Sequence, residues 1–328
     1  MDPILIYQLI YLSMTAEGRE ERLFGSGREK AFDAFLQSTP GNRFPELWFE
    51  IPLLGDPWFD LHVLTAAKDL PKDRILPQER CAGYADTFQW FSKQTHVRQL
   101  ALSWDLNTGR EPEAAIQLLL SGPDPEAACG FLEAAGRPQA SPSYRTFLER
   151  LPKEWFACYL GVFPSRPGHH LRVECIPEAE QQKRYVKDIS VLGKQLSVLG
   201  LGQTEESILP VCRMLADTPF QLEFQFDLNE NGEAGRTFGA SLRFSIGRDT
   251  EEWQAYGDQP ATEELMTKLE QMGLVDDRWK ELAKVTFARK LKLSEMECRF
   301  FAAPAFVKLR WRDGRLLDAK AYIIAGTL

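Results

Sequence analysis

Residues 306–325 read FVKLRWRDGRLLDAKAYIIA, two runs of period-2 alternation either side of Arg312-Asp313-Gly314. Alternation around such a turn cluster is the pattern of a β-hairpin. Phe306, Lys308 and Arg310 share one face of the first run, and Val307, Leu309 and Trp311 the other. On the second run Asp318, Lys320, Tyr322 and Ile324 alternate with Ala319, Ala321 and Ile323. A three-residue loop with Gly314 in the left-handed region pairs Trp311 with Arg315. That register puts Lys308, Arg310, Lys320 and Tyr322 on one face, opposite small and apolar residues. A two-residue Asp-Gly turn would divide the cations between faces, so the three-residue loop is expected. A cationic, tyrosine-bearing sheet face calls for an anion or a cavity.

Four further hairpin patterns precede this one. They are ELWFEIPLLGDPWFDLHVLTA from Glu46, and Arg98 to Gly122 with Asn107-Thr108-Gly109 near its turn. The others are Lys153 to Pro177, turning through Pro164 to Gly168, and Pro219 to Ile246 with a turn rich in Asn and Gly. Helical patterns lie between them. Asp2 and Pro3 read as the cap and first residue of an initial helix, and Arg28 to Gln37 as a second, ended by Pro40-Gly41-Asn42. Others are expected from Pro77 to Gln94, Asp124 to Ala135, Ser141 to Leu151, Glu178 to Leu199 and Thr204 to Ala216. Two more are expected over Ala261 to Met272 and Asp276 to Lys290.

Helices followed by a hairpin thus recur five times. The expected fold is α+β: a ten-stranded antiparallel β-barrel of five helix-helix-strand-strand repeats, helices outside, in one domain spanning 1–328. Closure removes sheet edges. In the fourth hairpin Phe220, Leu222, Phe224 and Phe226 alternate with Gln221, Glu223, Gln225 and Asp227. On its return, Phe238, Leu242, Phe244 and Ile246 alternate with Thr237, Ser241, Arg243 and Ser245. The apolar face packs most simply on the helices, leaving the polar face inside. Side chains fill a barrel of about eight strands, so ten leave room for a ligand.

The 328 residues are 44% apolar and 26% charged, with a net charge of −8. That is the composition of a globular protein, and its acidity argues against nucleic acid or an anionic membrane as partner. Any anion site must be local and enclosed. The six cysteines (81, 129, 158, 175, 212, 298) form no CxxC pair, which fits reduced thiols in the cytoplasm. The apolar start MDPILIYQLIYLSM lacks a basic leader and is too short to span a bilayer.

This layout resembles the ABBA (αββα) prenyltransferases, whose barrel of ten antiparallel strands is built from five such units. The family's Lys-x-Tyr strand pattern is matched by Lys320-Ala321-Tyr322, and its pattern of alternating cations by Lys308-Leu309-Arg310. The resemblance implies transfer of a prenyl group from a soluble prenyl diphosphate to an aromatic small molecule or a peptide side chain. It also implies lumen cations on the diphosphate, tyrosines around the carbocation and an acid on the first strand, here Glu50 in LWFEIP. Cations on polar strand faces are Arg172, Arg243, Lys308, Arg310 and Lys320. Arginine suits bidentate phosphate binding and lysine acts as a point charge. Pairing with Glu174, Glu223 or Asp318 is their competing role.

Tyr322 would face the allylic cation, which electron-rich rings stabilise. Glu50 would take or orient the proton of the nucleophile, and Trp48, on its face, would line the acceptor pocket. Tyr159 is a further candidate for that pocket, its face left undetermined by the turn through Pro164 to Gly168. Asp276-Asp277 has no DDxxD run and reads as a helix cap, while His169-His170 reads as a surface pair without metal partners. There is no Gly-rich phosphate loop, GxSxG or HExxH. No cofactor or protein-held metal is implied, and any magnesium would be held mainly by the diphosphate. Two other classes stay open: a non-catalytic barrel carrying an apolar or anionic ligand, and a peptide-binding partner of biosynthetic enzymes.

Overall fold

A computed structural model of the chain describes residues 3–38, 46–65, 84–95, 97–106, 114–164, 171–201, 208–244, 260–293 and 296–327. The turn read at Asn107-Thr108-Gly109, the pair His169-His170, Cys81, Pro77 and the break at Pro40 to Asn42 lie outside the described residues. The strands are β1 (Glu46–Pro52), β2 (Asp60–Thr65), β3 (Val97–Trp104), β4 (Ala115–Leu120), β5 (Trp155–Val162) and β6 (Leu171–Pro177). They continue with β7 (Gln221–Leu228), β8 (Ala234–Arg243), β9 (Phe287–Leu293), β10 (Met296–Arg312) and β11 (Arg315–Thr327). Neighbours run β1 to β8 in order, then β10 and β11, and β11 pairs back on β1, all antiparallel. Ten strands therefore close a ring, as the alternating hairpins predict.

β9 is an eleventh strand outside that ring, in a segment where the sequence suggests helix. Helix in the expected Asp276–Lys290 segment is confined to α10 (Trp279–Leu282) and a 3₁₀ turn over Ala283–Val285. Lys and Arg are good helix formers, but here they sit on an alternating strand, FARKLKL. The tertiary reason is the length of β10. Its residues 306–312 pair with β8, whereas 296–302 run past β8 and pair with β9. β9 covers an edge that would otherwise leave unpaired backbone groups, and its lysines suit an exposed edge.

The last hairpin turns differently from the expected three-residue loop. Arg312 pairs with Arg315 across a two-residue Asp313-Gly314 turn, both in the left-handed region at φ 50 and 72, as a type I′ turn requires. A bulge then restores the phase: Trp311 pairs with Leu316, but Arg310 with Asp318, leaving Leu317 unmatched. Lys308 now faces Lys320, and Phe306 faces Tyr322. The cations share one face as expected, with the register displaced by two. A second bulge at Ala305 reverses the phase again.

The helices are α1 (Pro3–Thr15), α2 (Glu29–Ser38), α3 (Ala85–Phe91), α4 (Pro125–Ala134) and α5 (Ser141–Arg150). Then come α6 (Ala179–Lys187), α7 (Ser190–Val198), α8 (Ile208–Ala216) and α9 (Pro260–Gln271). Asp124 caps α4 by accepting from the Ala127 N–H at 2.9 Å. The expected Ser141 cap is instead the first residue of α5, after a short 3₁₀ turn. The main core lies between the helices and the outer strand faces. Tyr11, Phe24, Phe32, Phe49 and Phe59 join α1 and α2 to the first hairpin; Tyr11 stacks on Phe32 at 4.7 Å and Phe49 lies 5.5 Å from Phe32. On the opposite wall Trp155 stacks on Phe224 at 4.9 Å. No helix among the described residues is long and apolar enough to cross a membrane.

Phe49 is fully buried on the outer face of β1, and its neighbours are rings that cannot collapse into a void. Phe49→Ala is expected to lower unfolding free energy by about 3–5 kcal/mol, the range for deleting a core phenylalanine, as measured by urea denaturation.

A candidate active site in the barrel lumen

The polar faces of the strands converge on the lumen and bury their charges there. β1 contributes Trp48 and Glu50; in register beside them lie His62 and Asp60 of β2 and Ile324 and Tyr322 of β11. Glu50 is 6% exposed and Lys320 7%. The Lys320 ammonium donates to Glu50 Oε1, and His62 Nε2 lies 2.9 Å from Glu50 Oε2. Burial alone would push the Glu50 pKa up, but the Lys320 charge and the His62 bond hold it well below the usual carboxylate range. An ionised Glu50 requires His62 to donate through Nε2. Tyr322 lies beside Glu50 in register, and burial followed by the Glu50 and Glu174 charges pushes its phenol well up. Asp60 goes the other way from Glu50: burial, reinforced by Glu50, raises it well above a normal carboxyl.

The other cations follow the same rule. Lys308 donates to Glu174 across the lumen, and Arg310 to Asp318 within the last hairpin. Arg172 holds Asp227 bidentately at 2.8 and 3.2 Å, and Arg243 holds Glu223 at 2.8 Å. Rings lie beside these charges. Lys308 is 5.4 Å from the Tyr322 centroid, Arg243 4.7 Å from Phe306, Lys320 4.8 Å from Trp58 and Arg172 4.7 Å from Phe163. One end of the lumen is apolar, where Phe301, Ala305 and Ile324 pack with Trp48 and Phe306.

All nine residues singled out from the sequence are on this inner face. Tyr159, whose face the sequence left open, pairs with Glu174 and Leu119 and points inward with them. Arg172, Arg243, Lys308, Arg310 and Lys320 are brought together, but each carries its own carboxylate. The competing role of Glu174, Glu223 and Asp318 is thus realised inside the barrel. Sequence reasoning missed Asp60, His62, Trp58 and Phe306. Asp60 and His62 could have been found: in DLHVLT they alternate in phase with the hairpin partners of Trp48 and Glu50. Among the described residues no three His, Cys, Asp or Glu side chains are grouped to hold a metal ion.

Comparison with solved structures finds the same architecture elsewhere. The chain is similar to the apo form of the prenyltransferase PriB, with a TM-score of 0.54 and 14% identity over 98% of this chain and 95% of that one. It is similar to the PriB ternary complex with L-tryptophan and dimethylallyl thiolodiphosphate, with a TM-score of 0.55 and 13% identity over 99% and 96%. It is also similar to AnaPT from Neosartorya fischeri, with a TM-score of 0.50 and 14% identity over 97% and 90%. By sequence, no family model and no curated protein matches. At such identities the likeness is one of fold. The chain is folded as an αββα prenyltransferase barrel.

Lys320 is the cation that keeps Glu50 ionised out of water. Removing one partner of a buried pair costs about 3–5 kcal/mol, so Lys320→Met is expected to lose that much stability at neutral pH. Because the Glu50 pKa is depressed in the folded chain, its stabilisation is present above the unfolded carboxyl pKa and is lost as pH falls through the folded value. The deficit of Lys320→Met should therefore shrink on acidification, and paired denaturation curves at neutral and acid pH measure it.

Proposed function

We propose that residues 1–328 act as one catalytic unit, a prenyltransferase. It moves a dimethylallyl or longer prenyl group from a prenyl diphosphate to an aromatic or peptide side-chain nucleophile. The observation that carries this reading is Glu50: an ionised carboxylate buried beside Tyr322, in a lumen ringed by cations, in a barrel of the prenyltransferase fold. Charge develops on the leaving diphosphate as its C–O bond breaks, and preorganised cations lower that barrier. Arg172, Arg243, Lys308, Arg310 and Lys320 are assigned to this task. Tyr322 would shield the allylic cation, since electron-rich rings attract positive charge and a closed site excludes water, and Tyr159 is assigned to the acceptor pocket. Trp48, with Phe306 5.4 Å away, lines the acceptor side.

Attack on the allylic cation releases a proton from the nucleophile. Glu50, held ionised by Lys320 and His62, can accept that N–H or O–H hydrogen bond and orient or take the proton. Magnesium, if it takes part, would be held by diphosphate oxygens. The thiols of Cys129, Cys158, Cys175 and Cys212 are free, and we place the reaction in the cytoplasm.

A second reading, a non-catalytic barrel binding a ligand or peptide, draws on the internal pairing of all five cations. One experiment separates the two. The protein is incubated with dimethylallyl or geranyl diphosphate plus tryptophan or tryptophan-containing peptides. The transferase releases pyrophosphate and adds the prenyl mass to the acceptor, whereas the binding barrel gives thermal stabilisation without release. Glu50→Gln is expected to keep diphosphate-dependent stabilisation and lower turnover by about 10²–10⁴-fold, the usual loss on removing a general base. Turnover at the parent rate would remove Glu50 from the mechanism.

A further inference from the structure

Among the described residues the lumen cations named above are already paired, the five being matched by Glu50, Glu174, Glu223, Asp227 and Asp318. A multiply charged anion added to that balance would lie beside carboxylates out of water, and uncompensated buried charge is strongly unfavourable. Something must therefore move or be neutralised. The β6, β7, β8 and β10 wall has the parts for this. Glu223 of β7 is 1% exposed and is paired with Arg243 of β8; Glu174 of β6 takes Lys308 of β10. Ser241 stands opposite Glu223 in register.

The same wall contains donors with no acceptor. Gln225 is 2% exposed and its Nε2 finds no hydrogen-bond partner, nor does Arg310 Nε. Gln225 and Arg310 flank Gly239 from either side. A Cβ at Gly239 would come within 3.1 Å of the Gln225 Cβ. These two N–H groups lie next to the two ion pairs and are available to an incoming anion's oxygens.

We propose that Glu174 and Glu223 are resident counter-anions, displaced from Lys308 and Arg243 when the diphosphate of the substrate binds, with Glu223 taking up a proton as it is displaced. This rests on the prenyl diphosphate reading and adds to it the route by which charge is balanced. Glu223 is already prepared for the step: burial raises its pKa to about 7, with Glu174 adding to the rise and Arg243 and Lys308 opposing it. The other titratable group facing it is the Cys158 thiol of β5, itself pushed well up by burial and then by Glu223 and Glu174. An anion that engages Arg243 and Lys308 withdraws both opposing charges and adds a negative one, so protonation of Glu223 follows.

The test is calorimetric titration of the full chain with inorganic pyrophosphate, in buffers of different ionisation heat so that protons are counted. The parent is expected to take up more protons than pyrophosphate itself requires, and to bind more weakly as pH rises through 7. Glu223→Gln should lose the extra uptake. One pH unit above 7 it should bind about tenfold more tightly than the parent, the competition set by a carboxyl titrating at about 7. Glu174→Gln should also tighten binding. Should Glu223→Gln not fold, the parent's proton count and Glu174→Gln decide the matter. Equal proton counts and affinities in parent and variants, or weaker binding by Glu223→Gln, overturn the exchange alone. No pyrophosphate binding by any of the folded proteins overturns the prenyl diphosphate reading as well.

Discussion

The pairing of β11 with β1 is the interaction on which the rest depends. It sets Glu50 against Tyr322 and Pro52 against Lys320, joining residues separated by most of the chain. Without it the polar strand faces would be one side of an open sheet in water, where exposed ion pairs contribute little. With it they are buried facing one another, and each charge must find a partner. The dense lumen pairing is thus a consequence of closure as much as of sequence.

The energetics divide between the two faces. The outer face is held by apolar burial against α1 to α9, including the aromatic cluster around Phe49 and the Trp155–Phe224 stack. The inner face adds specificity at a cost in desolvation, which buried pairs offset only when well bonded. Glu50 shows such bonding, with Lys320 and His62 both engaged. Asp60, two positions from His62, shows the other outcome: its bond from the Leu106 N–H at 2.7 Å does not outweigh burial and the nearby Glu50, and its pKa is raised.

Much of this fold was legible because two-residue periodicity survives in the strands. QLEFQFD and FVKLR declare which face is dry, and closure of five such hairpins sends the other face inward. The inward face of the last-hairpin cations and Tyr322 followed from that parity, whereas Glu50 stands out through the family resemblance and the face of Tyr159 is set only by its pairing with Glu174. β9 was not legible, because FARKLKL has helix-forming residues and only the overhang of β10 makes it a strand. Nor was the pairing of each cation. Arg172 with Asp227 joins neighbouring strands, but Lys308 with Glu174 spans two intervening strands. Sequence alternation gives the face of a residue and says nothing about what meets it across a cavity.

The two bulges in the last hairpin have a consequence for how this chain can change. Leu317 and Ala305 are extra residues on opposite strands, and between them lies the segment that carries Lys308, Arg310, Lys320 and Tyr322. Because side chains alternate with period two, a one-residue insertion or deletion in either strand between those bulges would turn the charges beyond it on that strand outward. Length variation here is therefore quantised: a chain of this fold can gain or lose residues in pairs, or move a bulge, but a single step exchanges the inner and outer faces of that strand segment.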